Sequence, residues 1–241
     1  MIHKAFAVLE SISATDAATI DSISEGTGIP RSTVHRILQA LQAEGVVRRH
    51  AKQGYALTPK LLSLGLRGIA ERSVLDAAIP VMRELNEQTK ETISLNVLNG
   101  YERVCIYRIE GTQPITRSVR IGANAPLFVG SAGKVIAAGL TPRERDRILA
   151  RYMDQGIFKQ EELPNLLRAV EEARELGYAI SIGERVKGSA SLAVPLKDVM
   201  GNVMASLSVA TLESRLTPEN KNMYLESLLH GAQQIQQQCI Y

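Results

Sequence analysis

ATIDSISEGTGIPRSTVHRILQALQAEGVVRRHAKQGYAL, residues 18–57, reads as a helix-turn-helix closed by a β-wing. From Arg31 to Glu44 the apolar side chains Val34, Ile37, Leu38 and Leu41 fall at i, i+3, i+4 and i+7, the spacing of a helix that buries one stripe. At about 100° per residue the opposite face is centred on Ser32, Arg36 and Gln39, with Thr33 and His35 on its flanks. These side-chain types hydrogen-bond phosphates and base edges, Arg suiting guanine and Gln adenine. Pro30 lacks an N–H and presets φ, so the helix opens just after Gly28 and presents that end, with Arg31, to a major groove.

Upstream, Thr19 to Gly26 carries Ile20 and Ile23 on one face, with Thr19, Asp21 or Ser22 available as cap. Residues 2–12 repeat the pattern through Ile2, Ala5, Phe6, Leu9 and Ile12, so three short helices share one small core. Downstream, Val46-Val47-Arg48-Arg49 and Tyr55-Ala56-Leu57 predict two strands around a Lys52-Gln53-Gly54 turn. Arg48, Arg49, His50 and Lys52 then lie along the hairpin or at its tip, within reach of a phosphate backbone.

The charge distribution agrees. Residues 1–74 hold nine Lys and Arg against six Asp and Glu, whereas the rest of the chain holds nineteen of each, so the formal +3 resides in the first third. A local cationic patch on a nearly neutral chain suits a reader of double-stranded DNA better than a membrane binder. A helical protein-interaction module would also expose charge, but would not require helix, turn, helix and wing in that order.

A chain of 241 residues with 45% apolar content exceeds one small domain. We expect a winged helix-turn-helix over 1–58, a linker helix over 59–73 and an effector-binding and oligomerisation domain over 74–241. No apolar run approaches the ~18 residues of a membrane span and no signal-peptide core opens the chain, so a cytoplasmic protein is expected. Cys105 and Cys239 are isolated, which disfavours a zinc site or a disulfide scaffold, and no cofactor or metal is expected. Thr58-Pro59 opens the linker helix, whose Leu61, Leu62, Leu64, Leu66 and Ile69 are too apolar for an exposed connector. Its economical partner is the same helix of a second subunit, which favours a two-fold symmetric, palindromic operator. Packing against the chain's own second domain is the alternative.

In that domain a helix is predicted over 75–89, from Leu75, Ile79, Met82 and Leu85. Strands follow at Thr92–Leu98 and Tyr101–Ile109, joined by Asn99-Gly100 in a type I′ turn. A further strand is predicted at Thr116–Ile121, helices at 131–140, 142–153 and 163–176, strands near 178–183, 189–196 and 203–211, and a final helix opened by Thr217-Pro218. Thr141, Pro142 and Glu144 form a capping box. Hairpins mixed with helices imply an α+β domain with a largely antiparallel sheet.

Enzyme chemistry finds little support. The only histidine beyond residue 50 is His230, which excludes a histidine relay or metal cluster there. Ser131-Ala132-Gly133-Lys134 matches the S-x-x-K of serine acylases, but neither S-D-N nor K-T-G occurs in the chain. The stretch is no P-loop either, since Phe128 stands at the required first glycine and Val135 follows the lysine. A binding reading uses it better: Gly130-Ser131-Ala132-Gly133 opens a helix with small residues, letting a small carboxylate approach backbone N–H groups. Ser181, Ser189, Ser191 and Ser208 recur on the late strands, where they either hydrogen-bond a ligand or face solvent.

Four ordered segments resemble the IclR family of bacterial transcriptional regulators: GIPRSTVHRILQALQAEGVV (28–47), GYALTPKLLSLG (54–65), LFVGSAGKVIAAGL (127–140) and GYAISIGERVKGSASLAVPL (177–196). The resemblance spans essentially the whole chain. It implies a winged helix-turn-helix, a linker helix and a GAF-like effector-binding domain, assembled as a homodimer or a dimer of dimers. It also implies that Leu127, Phe128, Ser131, Ala132, Gly133, Ser181, Glu184, Ser189, Ser191 and Ser208 surround a small-molecule effector. Phe128 and Val129 stand where many relatives carry His or Thr and Ala, which makes that wall more apolar. Ser191 replaces a common cysteine and Ser181 a common acidic residue. The expected effector is a small organic acid. Two rival readings are a DNA-tethered acylase and a constitutive DNA-binding protein whose second half only oligomerises.

Overall fold

The computed structural model describes residues 1–15, 18–50, 54–61, 64, 72–116 and 120–239, which fall into two compact units, Met1–Arg72 and Ser73–Tyr241. In the first, helices α1 (Ile2–Ser13), α2 (Ile20–Thr27) and α3 (Arg31–Ala43) precede the antiparallel pair β1 (Val47–His50) and β2 (Gly54–Leu57). Thr19 caps α2 by accepting from the Ser22 N–H at 3.1 Å, and the Ser22 hydroxyl accepts from the Thr19 N–H at 2.9 Å. Val34, Ile37 and Leu38 of α3 are buried with Ile23, Val47 and Tyr55, and Leu41 packs against them half-buried. Ala18 bridges Tyr55, which ties the wing to the chain just before α2.

The reading of α1 requires correction. Ile2 and Phe6 are 76% and 60% exposed, while Val8 and Ile12 are buried and Ala5 and Leu9 pack beside them. The inward stripe is therefore 5, 8, 9, 12, the same helical spacing rotated off the set that the sequence suggested. The tip of the wing with Lys52, and most of the helix expected over 59–73, lie outside the described residues. The described start of that helix has the Thr58 hydroxyl accepting from the Lys60 N–H at 3.3 Å.

The second unit is built on a six-stranded, wholly antiparallel sheet of order β5-β4-β3-β8-β7-β6, comprising β3 (Thr92–Asn99), β4 (Glu102–Ile109), β5 (Asn124–Pro126), β6 (Ala179–Ile182), β7 (Ser189–Lys197) and β8 (Val203–Leu212). Helices α4 (Arg72–Thr89) and α8 (Pro218–Gln238) cover one face through Val74, Met82, Leu85, Tyr224, Leu228 and Ile235. Under them the strands present Ile93, Leu95, Leu192, Val194, Leu207 and Val209. Helices α5 (Gly130–Gly139), α6 (Pro142–Asp154) and α7 (Leu163–Leu176) belong to the other side, with Ala132 and Val135 of α5 packed on Ala179 and Ala193.

Two details of this sheet depart from expectation. The β3–β4 register pairs Asn99 with Glu102, so the turn residues are Gly100 and Tyr101, and positive φ occurs at Gly100 alone (64°). That fits a type II′ turn, which needs glycine at its first central position, and not type I′, which needs positive φ at both. No strand is assigned to the described part of 116–121, whose residues 117–119 lie outside the described set; the strand at the edge beside β4 is the three-residue β5.

Candidate functional site

Helix α3 exposes the face expected to read DNA. Arg31, Ser32, Arg36 and Gln39 are exposed and Thr33 is half-buried, opposite the buried Val34, Ile37 and Leu38. On the wing, Arg48 and Arg49 are exposed, and the Arg49 guanidinium lies 5.9 Å from the centre of the Tyr55 ring. Arg31 is already engaged, because its guanidinium pairs with Asp21 of α2, whose hydrogen bond and charge raise its pKa. A phosphate must therefore compete with Asp21 for that cation. Asp21→Asn is expected to tighten DNA binding about twofold to fivefold at low salt, with the gain vanishing as salt screens it; titration of labelled duplex at two ionic strengths checks this.

In the second unit the sheet face beneath α5 is polar. Cross-strand rows run Ser181–Ser191–Ala210 and Ala193–Ser208–Ser94, so period-two alternation places serine and alanine on one face and branched apolar residues on the other. Between this face and the start of α5 lies a cavity of about 310 Å³. Six serines line it (Ser94, Ser131, Ser181, Ser189, Ser191, Ser208), together with Arg103, Arg120 and Arg185, while the remaining lining residues are small or aliphatic. Neither an aromatic nor an acidic side chain lines it among the described residues.

Arg103 dominates the electrostatics. It is 5% exposed and donates from Nη1 to Asn96 Oδ1 at 3.0 Å, while its Nε is buried without a hydrogen-bond partner among the described residues. Burial, reinforced by the neighbouring Arg185 charge, lowers its pKa to about 10. It stays cationic at neutral pH yet poorly compensated, the condition in which an anion gains most from a charge-assisted hydrogen bond. Asn96 in turn donates to the hydroxyls of Ser94 (3.4 Å) and Ser208 (3.3 Å), which share a hydrogen bond of 2.8 Å.

Arg103 faces the cavity because of a β-bulge. Leu95 pairs with Tyr107 but Asn96 pairs with Cys105, leaving Ile106 as the extra residue. One inserted residue reverses the inside-outside alternation of everything beyond it. Tyr107 and Ile109 pair with the apolar-face residues Leu95 and Ile93, whereas Cys105 lies opposite Asn96 and Arg103 takes the same side two residues on. Cys105 is a fully buried thiol whose pKa burial pushes up, which suits packing and not nucleophilic chemistry.

Of the residues expected around an effector, Ser131, Ala132, Ser181, Ser189, Ser191 and Ser208 line the cavity. Leu127 and Phe128 do not. Both are fully buried in a separate cluster, where the Phe128 ring meets Tyr152 edge-on at 6.2 Å and Tyr152 meets Phe158 at 5.5 Å. Gly133 also lies off the cavity, against the Leu127 backbone. Glu184 serves another purpose: its carboxylate accepts from the Gly130 N–H at 3.0 Å and pairs with the buried Lys134 ammonium. The first amide of α5, expected to meet an effector's carboxylate, is thus already occupied by a carboxylate of the chain itself. Lys134 is bonded to Glu184, and the Ser131 hydroxyl donates to Ser191 at 2.8 Å, so the S-x-x-K pair is not arranged as nucleophile and base. Arg103, Arg120 and Arg185 were not among the expected residues; two lie in loops, and only the bulge brings Arg103 inward.

The chain matches the family described as "Bacterial transcriptional regulator IclR C-terminal" over residues 66–237, and the "IclR helix-turn-helix domain" over 2–51. The chain belongs to the IclR family of transcriptional regulators. It is 31% identical over 246 residues to the HTH-type transcriptional regulator KdgR of Escherichia coli K12, covering 100% of this chain and 92% of that protein. Among solved structures, Thermotoga maritima IclR aligns with a TM-score of 0.73 at 25% identity, covering 100% and 98% of the two chains. An IclR homologue from Microbacterium hydrocarbonoxydans shares the fold with a TM-score of 0.82 at 22% identity, covering 99% and 98%. This IclR-family chain is a regulator and not an enzyme, in keeping with relatives named as regulators and repressors. No described helix is long and apolar enough to cross a membrane.

Proposed function

We propose that this regulator binds a palindromic DNA operator as a homodimer or dimer of dimers, and that a small organic anion in the serine-lined cavity modulates that binding. The buried, undercompensated Arg103 carries the reading: three arginines converge on one cavity that no carboxylate lines among the described residues. A C-terminal half serving only for oligomerisation has no use for such a site. The structural neighbour from Microbacterium hydrocarbonoxydans was solved with 4-hydroxybenzoate, itself a small carboxylate. Arg31, Ser32, Thr33, Arg36 and Gln39 enter the major groove, and Arg48, Arg49 and Lys52 contact the backbone or minor groove. Residues 1–58 form the reading head, 59–73 the linker helix that pairs subunits, and 74–241 the effector-binding part. The effector acts by favouring one arrangement of the paired linkers, and its affinity must differ between arrangements for anything to shift.

Selection of random duplexes by the purified protein, with and without a panel of organic acids, tests this. An enriched palindrome whose recovery changes with an acid supports the proposal; enrichment indifferent to every acid sinks the effector half, and no enrichment sinks the operator half. Within the DNA-reading face, Arg36→Ala is expected to cost about 1–3 kcal/mol on the selected site and to relax preference at one base position. Uniform weakening across sequences, with a salt slope lower by about one, would reassign Arg36 to a phosphate.

A further inference from the structure

The cavity that holds the proposed effector also carries information on the body of that ligand, beyond its charged end. Small-molecule pockets are lined mostly by apolar and aromatic side chains with a few polar groups to orient the ligand. Here nine of the fifteen lining residues are polar, six serines and three arginines, no aromatic ring lines the cavity among the described residues, and Val186 is the largest aliphatic side chain. Five of the hydroxyls form two groups on neighbouring rows of the sheet, while the Ser189 hydroxyl donates to the Val186 carbonyl. Ser94 and Ser208 bond each other and are held by Asn96 on the Arg103 side, while Ser131 donates to Ser191 beside Ser181 under the start of α5.

Each hydroxyl has one donor and two acceptor positions. Because Ser131 donates in its pair, the Ser191 proton remains available, and the Ser181 hydroxyl has no hydrogen bond among the described residues although Ser181 is only 7% exposed. An aromatic or alkyl acid would strip water from these groups without replacing its hydrogen bonds, and buried hydroxyls left in that state cost free energy. A ligand whose carbons each bear hydroxyls both donates and accepts, which matches a floor of donor-acceptor groups. At about 310 Å³ the cavity lies at the small end for ligand sites.

Resting on the anion-effector reading above, we infer that the ligand is a polyhydroxylated carboxylate of the aldonic-acid class: its carboxylate lies at the Arg103 end and its hydroxylated chain runs over the serine floor towards Ser181 and Ser191.

The test is calorimetric titration of the full-length protein with D-gluconate and D-galactonate, compared with hexanoate, which has the same carbon chain without hydroxyls, and with benzoate. At least one hydroxylated acid is expected to bind about tenfold or more tighter than either control. Ser181→Ala is expected to reduce that preference severalfold, weakening the hydroxylated acid while hexanoate binds as tightly or more tightly, since its chain no longer strips water from that hydroxyl; weakening of both acids alike would instead mark a damaged fold. Hexanoate or benzoate binding as tightly as the hydroxylated acids overturns the inference but leaves the anion effector standing. Absence of binding by all four acids, together with indifference of operator binding to them, overturns both.

Discussion

Arg103→Met is expected to make the unliganded protein more stable and, in the same molecule, to remove its response to organic anions. The pKa of Arg103, lowered by burial to about 10, corresponds to about 3 kcal/mol disfavouring the charged form where it sits. Methionine fills similar space without charge, and replacing poorly compensated buried charge by an apolar side chain is commonly neutral or stabilising. Allowing for the lost bond to Asn96 Oδ1 and imperfect packing, a net gain of about 1 kcal/mol is expected, raising the melting temperature by about 2–4 °C. The sign with pH follows from the direction of the shift. A base whose folded pKa lies below its unfolded value penalises the fold fully at every pH below about 10, and the penalty fades only as pH rises from there towards the ordinary arginine value. The stabilisation should therefore be flat across neutral pH. Anion affinity, by contrast, should fall at least about thirtyfold, the loss of about 2 kcal/mol or more expected when one partner of a buried charge pair is removed. A scan of wild type and variant, each with and without the acid that binds, reads both effects. A variant that melts lower and still binds the acid would show that Arg103 holds the sheet together and does not meet the ligand.

Gly133→Ala should be the most damaging single methyl in the second unit. A Cβ there would stand 2.8 Å from the Leu127 carbonyl carbon and closer still to its oxygen. The obstacle is backbone and not a flexible side-chain end, and Leu127 is held in turn, its N–H donating to the Tyr152 hydroxyl at 3.0 Å. Relief requires moving α5 off the segment beneath it, with the Tyr152, Phe128 and Phe158 cluster attached. We expect a loss of about 3 kcal/mol or more, above the usual range for one added methylene, and a melting temperature lower by about 6–12 °C. If Gly133 instead contacts the ligand, the variant will melt like wild type and lose only acid binding. Chemical denaturation followed by circular dichroism separates the two.

These two positions mark where the sequence was legible and where it was not. The face of α3, the cap of α2 and the Thr141–Glu144 capping box follow from spacings of a few residues, and such local patterns survive folding. Alternation also puts Ser189 and Ser191 on one face of their strand without knowledge of its neighbours, but leaves open whether that face meets a ligand or solvent. Contacts between distant parts were hidden. Lys134 finds Glu184 fifty residues away, and that pairing fills the amide expected to greet an effector. The family resemblance places Phe128 in the wall, yet its ring lies in the neighbouring aromatic cluster. Arg103 was the least legible, since strict alternation through β4 assigns it to the side of Tyr107 and Ile109.

The bulge at Ile106 gives this site an unusual pattern of mutational tolerance. Ile106 packs half-buried beside the core of the second unit, so exchange for valine or leucine should pass almost unnoticed. Deleting that one residue would instead restore unbroken alternation, swing Arg103 towards the oily layer beneath α4 and α8, and leave the serine floor without its buried cation. The length of this strand, more than the identity of its spare residue, preserves the regulator's chemistry. Descendants of this gene should accept substitution here readily and gaps hardly at all.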